Sequence, residues 1–334
     1  MAKTNYPWQK KFINHTQIGG IELATLDNGA ARGTRIANVN TGTGLRYKVV
    51  IDRACDIADA FFNQHSLAWH SHSGITLPCP DRKPDSQWLY SFMGGLVATC
   101  GLSHIGAPNA ENGLHGRIGT QPAELVSVIQ PDLTAGKLDM SITAIIKESA
   151  VFGPNFELKR TITSTLGKST IKIHDVVTNL ANTPSPLKLL YHCNFGWPLV
   201  DEGAEIICNG KAESIGRDSD NKVFNDKTDF RKIPAPQADH TASNSACGVI
   251  DVTPDKKGIC TVGIANRKIG LSVMMRYKKK QLPILTNWQH FGLGEYVNGL
   301  EPGTNSPFYP DKKKIFLKPG QSKQFELEFE IENK

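Results

Sequence analysis

Residues 324–332 read QFELEFEIE, with Phe325, Leu327, Phe329 and Ile331 at one parity and Glu326, Glu328, Glu330 and Glu332 at the other. Such strict alternation puts the apolar set on one face of a strand and the carboxylates on the other. Working back along the chain, TIKIHDVV (170–177) repeats the pattern with Ile171, Ile173 and Val177. SITAIIKES, FELKRTITST, LKLLYHCNF, KGICTVGIAN and GLSVMMRY share this strand character. Leu166-Gly167-Lys168, Asn182-Thr183-Pro184 and Lys318-Pro319-Gly320 supply turn signals between such runs. The sequence shows no long capped amphipathic helix and no repeat of fixed period. Many short strands punctuated by glycine and proline predict an all-β sandwich rather than a parallel α/β sheet.

The chain has 334 residues, 39% hydrophobic and 21% charged, as expected of a globular protein. One large domain over 1–334 is expected, with the polar, weakly periodic stretch 209–246 a long loop or insertion at the rim of a site. The net charge of +6 is not gathered into a stripe. Its dense runs, Lys278–Lys280 and Lys312–Lys314, are short, lie next to Pro-containing turns and read as solvated loop charge. Seven cysteines, odd in number and without a CxxC pair, argue against both a disulfide framework and a zinc module. The N-terminal residues lack the apolar core of a secretory signal, and no stretch approaches the roughly 20 apolar residues of a membrane span. The expectation is a cytoplasmic protein that binds neither nucleic acid nor membrane; a homodimer is compatible with the sequence.

Three segments carry polar residues that plain strands do not need. GGLVATCGLSHIGAPNAENGLHGRIG (94–119) is rich in glycine, which permits sharp turns and close approach of backbone to a ligand, and ends in His115-Gly116-Arg117. LLYHCNFGWPLV (189–200) is an apolar strand with His192 and Asn194 in its middle, followed by Gly196, Trp197 and Pro198. NWQHFGLGEYVNGLEPGTN (287–305) sets Glu301 between Leu300 and Pro302. Taken singly, His192 reads as a hydrogen-bonded core residue, Glu301 as a cap or ion-pair partner, and His115 as a turn residue. Their joint occurrence, in this order, points instead to a site.

With these segments, DRACDIADAFF (52–62), GGLVATCGL, NGLHGRIG, YHCNFGWPL and VNGLEPGTN, the sequence resembles the aldose 1-epimerase, or galactose mutarotase-like, superfamily, as an uncharacterised branch of it. The likeness runs from about residue 45 to 305. It implies a β-supersandwich with the site on a concave sheet face. It also implies His192 as general acid, Glu301 as general base and His115 as the group that orients the substrate. Arg53 resembles a sugar-binding arginine of that family, whereas Asp56 reads more readily as a turn residue.

Mutarotation breaks the bond between C1 and the ring oxygen of a pyranose, rotates C1 and recloses the ring on the other face. A base takes the proton of the C1 hydroxyl while an acid protonates the ring oxygen, and the roles reverse on closure. No electron or group leaves the substrate, so no cofactor is required. Around the pair, Arg117 is a candidate to hold Glu301 ionised or to grip a substrate oxygen. Trp197 and Trp288 offer flat faces for the C–H side of a sugar, or else fill the core. Asn194, His290 and Asn305 complete the candidate substrate contacts.

The superfamily's sugar-gripping aspartate has no match here: Asp201 and Asp251 lie in unconvincing context, and Glu295 stands near His290 instead. The substrate is thus a monosaccharide or modified sugar, with the neutral, acidic and phosphorylated classes all open. A rival reading takes His65, His70 and His72 as metal ligands, since alternate strand residues share a face, but no Cys or paired carboxylate stands beside them. Further alternatives are a sugar epimerase or lyase that abstracts a proton from carbon, and a sugar-binding protein without turnover.

Overall fold

The computed structural model describes residues 11–77, 85–308 and 314–333. Cys79, Lys312 and Lys313 lie outside them. The alternation read at the C-terminus is realised in the strand Ser322–Asn333, where Phe325, Leu327, Phe329 and Ile331 are buried. Its glutamates face the other way and pair with bases on neighbouring strands, Lys172 with Glu328, Arg276 with Glu330 and Lys278 with Glu326. That strand lies inside an eight-stranded sheet, between Leu271–Lys278 and Thr170–Asn179. A five-stranded sheet built from Gly20–Thr25, Arg35–Asn40, Leu45–Val50, Asp56–Phe62 and His65–Ser66 stands beside it.

The third sheet carries the site, and its strands are labelled here in chain order. They are β1 (Ala98–Leu102), β2 (Ser185–Gly196), β3 (Gly210–Ser214), β4 (Ala246–Val252), β5 (Ile284–Gly292), β6 (Glu295–Gly303) and β7 (Ile315–Leu317). The spatial order is β3-β4-β5-β6-β2-β7, with β1 also pairing on β2, and all these pairings are antiparallel. The fold is therefore the expected all-β one, with inward residues of all three sheets (Val49, Phe329 and Tyr191 among them) meeting in one hydrophobic cluster.

The stretch 209–246 differs from its expectation as a loop, since it contributes β3 as an edge strand and the short helix Asp218–Val223. Hydrophobicity did not announce the helix. Local polar bonds hold it: Asp220 accepts from Arg217 and from the backbone N–H of Cys247.

A charged cluster lies where the sheets meet. Arg160, fully buried, donates to Asp56 and Asp175, to Thr99 Oγ1 and to the carbonyl of Ala54. Asp56 also accepts from the N–H and hydroxyl of Thr99, and the Tyr191 hydroxyl donates to Asp175 at 2.7 Å. Buried charges are tolerable only when paired and hydrogen-bonded in this way. The network clamps β1 and β2 from behind, one residue away from His192. Asp56 is thus a structural anchor.

Candidate active site

β2 is an apolar strand with two faces. Leu187, Leu189, Tyr191, Cys193 and Phe195 point into the core, which leaves His192 and Asn194 on the opposite face. The pairs Leu190–Gly303 and Cys193–Leu300 set His192 across from Glu301 of β6, and on the far side of β6 Glu301 pairs with Thr286 of β5. Directly opposed residues share a face, so His192, Glu301 and Thr286 form one row. The next row holds Asn194, Gly299, Trp288 and Cys247, and His290 stands two residues beyond Trp288.

His192 Nε2 lies 3.3 Å from Glu301 Oε1, and both side chains are buried. Gly299 makes room for this contact. A Cβ there would sit 2.8 Å from Glu301 Oε1 and 3.2 Å from the Trp288 Cβ, so the carboxyl folds over the missing side chain. Glu301 Oε1, His192 Nδ1, Asn194 Oδ1 and the Thr286 hydroxyl are buried without a hydrogen-bond partner. Buried polar atoms are nearly always satisfied, so a group of orphans on one face marks a place where a ligand is to supply the partners.

The walls are aromatic. Phe92 packs edge-on to the His192 ring at 5.2 Å, Trp288 at 5.5 Å and His115 at 5.7 Å. Trp88 stacks on Phe92 at 4.2 Å and touches His115 at 4.8 Å, while Trp69 meets Trp288 at 6.0 Å. His115 sits in a loop whose base is fixed by Glu148, which accepts the N–H groups of Leu102 and Ser103. Its Nδ1 accepts from the N–H of Gly106, so Nε2 carries the proton and is the donor available to a ligand.

Burial sets the proton inventory. Loss of hydration pushes the Glu301 carboxyl up to about 8. The same cause takes His192 down to about 4, against a smaller opposing effect of the neighbouring Asn194 side chain, and His115 down to about 3. Near neutral pH the pair therefore holds one proton that an isolated glutamate and histidine would have released. One group can give a proton while its neighbour takes one. O1 and the ring oxygen of a pyranose are bonded to the same carbon, so two groups this close can serve both oxygens from one side.

The other sequence candidates are placed as follows. Asn194 donates to the carbonyls of Gly95 and His192, tying β2 to the glycine turn before β1. Arg53 is buried and donates to the carbonyls of Gly119 and Ser91, bracing the segment that carries Phe92. Asn305 is buried just beyond the end of β6. Arg117 does not reach Glu301: the described ion pairs include none between them, and no cation offsets the burial of the carboxyl. Trp197 is 67% exposed past the end of β2, outside the ring cluster of the described residues. His70 and His72 go to different carboxylates, Asp59 at 3.6 Å and Glu295 at 3.2 Å, and no metal-binding group of three arises among the described residues. Asp201 and Asp251 pair with Lys268 and Lys279 away from the site. Sequence reasoning passed over Trp69, Trp88, Phe92, Thr286 and Cys247; the aromatic run in QWLYSFMGGL (87–96) was the available signal for two of them.

The architecture is that of known solved structures. The chain is similar to a candidate aldose 1-epimerase from Klebsiella pneumoniae, with TM-score 0.84 and 24% identity over 96% of this chain and 86% of that one. It is also similar to a galactose mutarotase-like protein from Clostridium acetobutylicum (TM-score 0.62, 14% identity, 94% and 98% of the two chains). A candidate aldose 1-epimerase from Escherichia coli K12 gives TM-score 0.61 at 13% identity over 94% and 100%. By fold the molecule is galactose mutarotase-like. The chain belongs to the family described as Domain of unknown function (DUF4432), whose model matches residues 31–331. No curated protein matches it. Among the described residues, no helix is long and apolar enough to cross a membrane.

Proposed function

We propose that the protein is a carbohydrate isomerase of the aldose 1-epimerase type, which interconverts the anomers of a monosaccharide or modified sugar by acid–base opening of the ring. The observation that carries this reading is the buried contact between His192 Nε2 and Glu301 Oε1 at 3.3 Å, walled by aromatic rings. Ring opening needs one proton donor and one acceptor at two oxygens of the same carbon, and the pair holds one shared proton across neutral pH. His192 and Glu301 exchange roles between opening and closure, so the donor in one direction is the acceptor in the other. His115 Nε2–H orients a sugar oxygen, and Trp288 offers its face to the C–H side of the ring. None of these steps calls for a cofactor.

The test is one-dimensional proton exchange spectroscopy at low buffer concentration on neutral, acidic and phosphorylated sugars. Faster exchange between anomeric signals, without solvent deuterium entering carbon, is the expected result. Deuterium in a C–H bond would mean that the pair abstracts a proton from carbon, as an epimerase or lyase does. Binding without any interconversion would leave a sugar-binding protein and end the catalytic reading.

A further inference from the structure

His290 shares the face of the catalytic row yet belongs to a separate polar cluster. Its ring lies nearly parallel to Trp288 at 6.0 Å and to His240 at 5.9 Å, which fixes its plane. Nε2 is 2.8 Å from Glu295 Oε2, and the other oxygen of Glu295 is 3.2 Å from His72 Nε2. Nε2–H donates to the carboxylate, which leaves Nδ1 as an acceptor. That atom is buried and has no partner, on a side chain only 4% exposed. A buried acceptor left unpaired is costly, and the cost vanishes when a ligand supplies a donor.

The distance along β5 says which part of a ligand would arrive there. His290 is four residues beyond Thr286, the partner of Glu301, or about 13 Å at roughly 3.3 Å per residue. A hexose with a hydrogen bond at each end has about that reach, and Trp288 lies beneath its middle. Building on the ring-opening reading, we propose that His290, oriented by Glu295, reads a hydroxyl at the end of the sugar remote from the anomeric carbon. The site thereby selects neutral sugars with a free hydroxyl at that end. A phosphate or carboxylate in its place brings no proton for Nδ1 and sets a second negative charge beside Glu295. His290 is then a binding residue, and Glu295 a positioning residue acting through it.

The experiment is calorimetric titration of the full chain with D-glucose and D-galactose, their 4-deoxy and 6-deoxy analogues, and their 6-phosphates. The wild type is expected to bind a parent hexose roughly 10- to 100-fold more tightly than one of its deoxy analogues or its 6-phosphate. His290→Phe should bring the parent down to the level of that analogue while barely moving the analogue itself. Glu295→Ala should weaken the parent in the same sense, raising KM more than it lowers kcat. The proposal is overturned if no sugar of the panel binds or if the 6-phosphate binds as well as the parent. It is equally overturned if the variants weaken parent and deoxy sugars alike. Anomeric exchange read on the same samples separates the two ideas. Discrimination without exchange ends the ring-opening reading alone, and exchange without discrimination ends this one.

Discussion

Replacing Glu301 with glutamine isolates the proton that burial adds to the site. The unfolded chain releases that proton near the ordinary carboxyl value of 4.5, and the folded chain keeps it to about 8. Between those values the native state binds the extra proton, so wild-type stability declines as pH rises, and the decline ends once the folded group has ionised. His192 works in the opposite sense, but only between about 4 and 6.5, because above that range it is neutral in both states. From pH 6.5 to 8 the glutamate acts alone, at about 1.4 kcal/mol per pH unit, for a total of roughly 2 kcal/mol. For a chain of this length that is about 3 °C in Tm. The assay is denaturant unfolding of wild type and Glu301→Gln across this range. The stability of the variant relative to wild type should grow by about 2 kcal/mol from pH 6.5 to 8 and then level off. A difference that stays flat would show that the native state carries no extra proton and would refute the burial argument. The measurement counts the proton whichever of the two groups holds it.

The same inventory predicts a bell-shaped pH dependence of kcat/KM, with limbs near 4 and 8 that belong to the pair as a unit. Gly299→Ala places a Cβ 2.8 Å from Glu301 Oε1; anomeric exchange should fall at least ~10-fold with the thermal unfolding curve little changed, since the loss is one of positioning. Asp175→Asn leaves the Arg160 guanidinium short of a partner inside the core; denaturant unfolding should show a loss of about 3–5 kcal/mol.

The strands were legible because their physics is local. QFELEFEIE alternates since one face is dry and the other wet, and LLYHCNF interrupts an apolar run with polar residues that share a face. The row of His192, Glu301 and Thr286 is another matter, since register between β2, β6 and β5 joins residues far apart in the chain. The resemblance supplied the first two and left the third unseen. Trp69 and Phe92 lie outside the strands and Trp88 opens a helix of a single turn, too short to show a period, so only the clustering of aromatic residues in 87–96 hinted at a wall. Arg160 sits in FELKRTITST, where an arginine reads as a surface base, yet it pairs with Asp56 more than a hundred residues away. The protonation of Glu301 was beyond sequence altogether, because it follows from burial by the whole fold. Of the two roles open to Arg117 in the sequence, keeping that carboxyl ionised finds no contact among the described ion pairs.

The central claim is that His192 and Glu301 act as one acid–base unit on the anomeric centre. Its most direct test is the anomeric exchange rate of wild type, His192→Gln, Glu301→Gln and the double variant on a sugar that binds. Groups that share one proton lose their function together, so each single variant should fall by ~100-fold or more and the double variant no further. Additive losses, or a single variant that exchanges anomers at the wild-type rate, would contradict it.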